Sequence, residues 1–213
     1  MKDLIAELNT VARRVEREGD HAGPGQEGDV YVVELTRTYD ADPADVWEAI
    51  TNPERIVRWF AKVSGDLRRG GRYAIEGNAS GAITECDPPA RLALDWEFGD
   101  TTSWVTVDLA PVAGDRCELR LRHRHVRDEH WVTYGPGATG VGWDLSLLGL
   151  AWHLEGGERG EDTAAAFLAH PEGRDFIRGA ATSWGEAHQA AGAPAEVATR
   201  SAQATADAFA PPA

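Results

Sequence analysis

The middle of the chain constrains the fold most. Between residues 63 and 126, segments rich in β-branched and aromatic residues alternate with short Gly- and Pro-bearing breaks. The breaks are Arg69-Gly70-Gly71, Gly77-Asn78, Asp87-Pro88-Pro89, Gly99-Asp100 and Ala113-Gly114-Asp115. Each is short enough for a hairpin. Six strands are therefore predicted, over 63–67, 71–76, 80–86, 91–98, 102–109 and 116–126, forming an antiparallel meander with one buried face. Alternation identifies that face. Leu92, Leu94, Trp96 and Phe98 share a side, as do Val105, Val107 and Leu109. Cys117, Leu119 and Leu121 do the same, with Glu118, Arg120 and Arg122 opposite. A one-residue slip would bury that charged row, so the register is well specified.

The flanks add helices. Val30 to Tyr39 reads as one more strand. Asp42-Pro43 and Asn52-Pro53 each open a short helix, because a side-chain cap precedes a proline in the first turn. Trp143 to Leu154 is a longer helix with two apolar stripes, Trp143/Leu147/Leu150/Leu154 and Leu145/Leu148/Trp152. A sheet can cover only one stripe. The other is expected to meet the N-terminal helix, the C-terminal region or a second subunit. At the N-terminus, Leu4, Ile5, Leu8, Val11, Ala12 and Val15 recur at helical spacing and predict a helix that Gly19 ends, with a loop to Gly28. Residues 156–213 are Ala-rich and punctuated by proline. Helices are expected around Phe167-Leu168, Phe176–Trp184 and Ala195–Phe209, packed on the core and frayed from Pro211. The expected organisation is an N-terminal helix and loop over 1–28, an α+β domain over 29–155 and a helical extension over 156–213.

Composition narrows the function classes. The chain has 213 residues and a formal net charge of −14, which repels phosphate backbones and anionic lipid headgroups. Nucleic-acid and membrane-surface partners are not expected. Two cysteines, Cys86 and Cys117, make no zinc spacing and suit a reducing compartment. No secretory leader and no apolar run long enough to span a bilayer is read, so a cytoplasmic location is expected.

A set of residues in fixed order then carries a resemblance. Ala41-Asp42-Pro43 with Val46-Trp47 is followed by Thr51-Asn52-Pro53-Glu54 with Trp59, and by Gly70-Gly71-Arg72-Tyr73. Gly81, Glu85, Asp87-Pro88-Pro89, Leu92 and Trp96 come next, then Leu119, Leu121 and His123, then Gly142-Trp143 with Leu147 and Leu150. Over residues 30–155 this resembles the START-like (SRPBCC, Bet v1-like) superfamily, in the branch named after the activator of the heat-shock ATPase. The resemblance implies a helix-grip fold: a curved antiparallel sheet of six to seven strands wrapped around a long C-terminal helix, with a cavity between them. It implies function loosely, since relatives include carriers, cyclases and stress proteins.

Candidate sites follow from phase. The sheet's apolar face and the helix stripe converge on Trp96, Phe98, Leu119, Leu121, Trp143, Leu147 and Leu150, with Trp59, Phe60, Tyr73 and Ile75 at one end. These residues line either a ligand cavity or a filled core. His123 and His125 continue the phase of Leu119 and Leu121. They are the candidates for proton transfer or for hydrogen bonding a ligand, and with His130 they are the weakest of metal proposals. Without such a role, one is half-buried and the other solvated. Arg37 shares the phase of Val33 and Leu35 and is expected to reach water along its stem. Glu85 and Asp87 are expected at a surface turn, and Cys86 and Cys117 as small core hydrophobes. The glycines of 135–142 read as a mobile gating loop ahead of the helix. No nucleophile elbow, HExxH or phosphate-binding glycine motif occurs. No cofactor and no metal is expected. The first expectation for function is a carrier or sensor of a small apolar or aromatic molecule. The alternatives are a cyclase- or aldol-type enzyme using His123 or His125, and a protein-interaction module, chaperone-linked or homodimeric.

Overall fold

A computed structural model describes residues 3–23, 26–157, 167 and 170–210. Expectations for Leu168 and for fraying from Pro211 fall outside them. The fold is α+β, of the helix-grip kind, with one antiparallel sheet and C-terminal helices. The elements are α1 (Leu4–Leu8), β1 (Val11–Gly23), β2 (Gln26–Tyr39), α2 (Pro43–Thr51), α3 (Pro53–Ile56), β3 (Val63–Gly65), β4 (Arg72–Ile75), β5 (Ser80–Asp87), β6 (Arg91–Phe98), β7 (Thr101–Val112), β8 (Arg116–Val126), α4 (Glu129–Tyr134), α5 (Gly137–Leu154), α6 (Pro171–Ala190) and α7 (Ala195–Phe209). The sheet runs β1-β2-β8-β7-β6-β5-β4-β3. It has eight strands, beyond the six to seven expected, because the N-terminal segment joins it.

That segment corrects the expected N-terminal helix. Helix α1 ends at Leu8, and Val11–Gly23 is a strand. Val11 and Val15 stand four apart, a spacing that a helix and a strand both place on one face. Arg13, between them, decides in favour of period two: it is on the same strand face and binds Asp144 with Nε and Nη2 at 3.1 and 2.7 Å.

Two compact units emerge. One comprises Met1–Leu35, Val126–Leu145 and Glu161–Ala213, the other Thr36–His125 and Ser146–Gly160. In the first unit, α6 lies against β1, α1 and α7, and α4 lies against α7. Trp184, Phe176 and Ile177 of α6 are almost wholly buried. Asp144 accepts from Trp184 Nε1 at 2.8 Å as well as from Arg13. Of the expected gating loop, residues 137–142 are instead the first turns of α5, and Gly135 and Pro136 form the turn before it. Gly137 and Gly140 serve close approach rather than freedom: a Cβ on Gly140 would fall 2.1 Å from the Trp184 ring, and one on Gly137 2.6 Å from Thr205 Oγ1.

The second unit holds the meander. β6 pairs with β7 (Leu94 opposite Val105, Trp96 opposite Ser103), and β7 with β8 (Val105 opposite His123, Val107 opposite Leu121). Asp42 caps α2 by accepting from Asp45 N at 2.9 Å, and Asn52 caps α3 from Glu54 N at 3.0 Å. Trp59 donates its indole proton to the Ala49 carbonyl at 3.0 Å, tying the segment after α3 back to α2. Arg55 joins them to Asp45 and, through Nε, to His153 at the end of α5. The Tyr39 hydroxyl donates to the Leu147 carbonyl at 3.2 Å.

Candidate functional site

The meander's apolar face supplies a cluster of rings in the second unit. Antiparallel register puts Trp96 of β6, Ser103 of β7 and His123 of β8 on one face near the β6–β7 turn. The Ser103 hydroxyl donates to the Trp96 carbonyl at 3.2 Å. Its oxygen also lies 2.8 Å from His123 Nε2, a hydrogen bond whose donor is set by the imidazole tautomer. These contacts span three strands. The Trp96 and His123 rings meet edge to face, with centroids 5.8 Å apart. His125, half-buried, continues the row at 5.7 Å from His123, and Tyr73 of β4 lies 6.4 Å from Trp96.

Electrostatics make this face neutral. Burial, with a smaller repulsion from His125, pushes the His123 pKa down to about 3. The Tyr73 hydroxyl donates to the Asp95 carbonyl at 2.8 Å, and burial first, then Glu97 and Asp95, raises its pKa. Near neutral pH the imidazole is uncharged and the phenol keeps its proton. Both hydrogen bond without exchanging protons readily.

Tyr73, Ile75 and Ile83 form a buried nucleus, and Phe60, Leu92, Leu94 and Trp96 pack on it while keeping part of their surface accessible. Other expected residues lie elsewhere. Phe98 shares the face but is 58% exposed, because β6 ends there in the Gly99-Asp100 turn. Leu119, Leu121, Leu147 and Leu150 are fully covered, and Trp59 is held by its indole bond. Trp143 is half-buried and belongs to the first unit, as does His130, whose ring is against Tyr134 at 4.7 Å. Among the described residues no group of three or more His, Cys, Asp or Glu is placed to hold a metal.

Arg37 is a correction. It is 6% exposed rather than reaching water, with its guanidinium carbon 5.2 Å from the Tyr39 ring centroid. The sheet continues past its position, so the stem is too deep to escape. Glu85 is exposed and accepts from Arg91 at 2.6 Å. Cys117 is buried with its pKa raised to about 11, chiefly by desolvation. Ser103 was missing from the expected site. It shares the phase of Val105 and Val107, which was its one visible signal.

A family profile described as "Activator of Hsp90 ATPase homolog 1-like protein" matches residues 40–155. The chain belongs to this family. Among solved structures of similar shape, CalU16 from Micromonospora echinospora is 30% identical in its crystal form. That match covers 84% of this chain and 98% of CalU16, with a TM-score of 0.65. The solution structure of the same protein gives 31% identity, 85% and 96% coverage and a TM-score of 0.70. Protein MLL2253 from Mesorhizobium loti, at 22% identity, 58% and 96% coverage and a TM-score of 0.53, shares the fold. No curated protein matches the chain. The family profile spans the whole ring cluster, and the CalU16 match extends well beyond the profile's ends. No described helix is long and apolar enough to cross a membrane.

Proposed function

We propose that this family member binds a small, uncharged aromatic or apolar molecule against the Tyr73–Trp96–His123 face. One observation carries the reading: the Trp96 ring is half-buried beside an imidazole that burial keeps neutral and Ser103 holds in place. Aromatic rings with accessible edges supply affinity, and a few oriented polar groups supply direction. Phe60, Leu92 and Leu94 add apolar surface to the same cluster. A carrier or sensor fits better than an acid–base enzyme, because His123 is too weak a base to take protons near pH 7. The family description as an activator belongs to the protein it is named after. Free Cys86 and Cys117 support a reducing, cytoplasmic setting.

The test is a titration with the neutral probe N-phenyl-1-naphthylamine, followed by fluorescence. Saturable binding is expected, and Trp96→Ala should weaken it about tenfold, which is about 1.4 kcal/mol. Phe98→Ala, at the exposed strand end, should leave it unchanged. Absence of saturable binding, or equal weakening by both variants, would overturn the proposal.

A further inference from the structure

A second buried imidazole lies outside the ring cluster. His188 of α6 is 6% exposed and follows Trp184 by one helical turn. Its ring stands edge to face with Trp131 of α4, centroids 5.6 Å apart at 77°. Trp131 is in turn stacked on Tyr31 of β2 at 4.4 Å. His188 Nδ1 has no hydrogen-bond partner among the described residues. It faces the turn that joins α4 to α5. Gly135 closes α4 with φ of 57°, the left-handed region that favours glycine. A Cβ built on Gly135 would lie 3.0 Å from His188 Nδ1 and 2.8 Å from Ser201 Oγ of α7. The Ser201 hydroxyl proton is already given to the Ala198 carbonyl at 3.1 Å. The imidazole nitrogen therefore meets a glycine Cα at a tight turn.

No charge compensates it. Burial is the cause of its lowered proton affinity, and no charged neighbour contributes. Glu129 and His130 of α4, Glu186 of α6, and Glu196 and Arg200 of α7 are all exposed. Arg13 of β1, on which α6 packs, is committed to Asp144. An imidazolium here would gain some attraction from the Trp131 ring. Its Nδ1–H would still lack an acceptor, and its charge would lack water.

We propose that His188 is an acid-sensitive latch within the first unit: its neutral ring lets α4 and the Gly135 turn close on α6 and α7, and its protonation loosens them. Helix α4 is suited to move. It has six residues, Asp128 caps it at Trp131 N, and Val132 is already exposed. Only Arg127 and Asp128 separate it from β8, the strand that bears His123 and His125.

The experiment is hydrogen exchange of the full chain at pH 7.5 and 5.5, corrected for intrinsic exchange. Opening of Glu129–Gly135 should rise about tenfold for one pH unit below the free-imidazole value of about 6.5. His188→Phe and His188→Gln should abolish that rise, while His123→Gln should keep it. Either His188 variant decides the question if it retains the native circular dichroism at pH 7.5. An acid response equal to wild type in that variant, or none in wild type, overturns the latch.

Discussion

His123 shows how far a residue's chemistry is set by its surroundings. As a free side chain it would titrate near neutrality. Buried on the apolar face beside His125, it stays neutral, with a pKa of about 3. The folded value lies below the unfolded value of 6.5, so the unfolded chain takes up the proton first. Stability contributed by the neutral ring is complete above pH 6.5 and falls as pH drops below it, by about 1.4 kcal/mol per pH unit. Urea midpoints measured between pH 7 and 4.5 should show at least that slope in wild type and one shallower by about that amount in His123→Gln, the remainder coming from His188. The inward phase of His123 was legible from Leu119 and Leu121. Its neutrality was not, because the burial that causes it comes from the packing of segments distant in sequence.

At the scale of elements, Asp144 is the tie that orders the first unit. Its carboxylate joins β1 through Arg13 to α6 through Trp184, with side-chain exposures of 7% for Arg13 and 0% for Asp144. Arg13 also donates to the Leu8 and Val11 carbonyls, so the same guanidinium fixes the step from α1 to β1. Asp144→Asn keeps the shape and strands a buried guanidinium. It should cost about 3–5 kcal/mol by chemical denaturation, and replacing Arg13 and Asp144 together by Met and Leu should recover much of that loss. Periodicity marked α5 as two-striped, but an aspartate between stripes looks like a solvated position until its partners are known. The upstream glycines misled for a related reason. Glycine signals flexibility and close approach alike, and only the position of Trp184 against Gly140 tells them apart.

At the scale of the molecule, the chain is interleaved. The first unit is assembled from three separated stretches, so its core depends on residues beyond the family profile. A chain stopped after Gly157 loses Phe176, Ile177 and Trp184, each worth about 1.5–3 kcal/mol of burial. Calorimetry should then show a melting temperature lower by at least about 10 °C, and protection of β1 from exchange should be lost. An unchanged melting point would mean that the extension is not part of the core. The sheet's edges are guarded by simple means. β3 has three residues, and β1 carries Arg14, Glu16, Arg17, Glu18 and Asp20, charges that discourage edge-to-edge pairing.

By itself the sequence determined the meander, its inward face, the capped helices α2 and α3, and the helical tail. Those features rest on local signals: alternation, turn residues and caps that act within a few residues. Only the tertiary structure decided that residues 11–23 form a strand, that Gly137 to Gly142 are helical, that Arg37 is buried, and that Ser103, Asp144 and His188 matter. Each of these depends on a partner distant in sequence, and pairings of that kind leave no periodic trace along one chain.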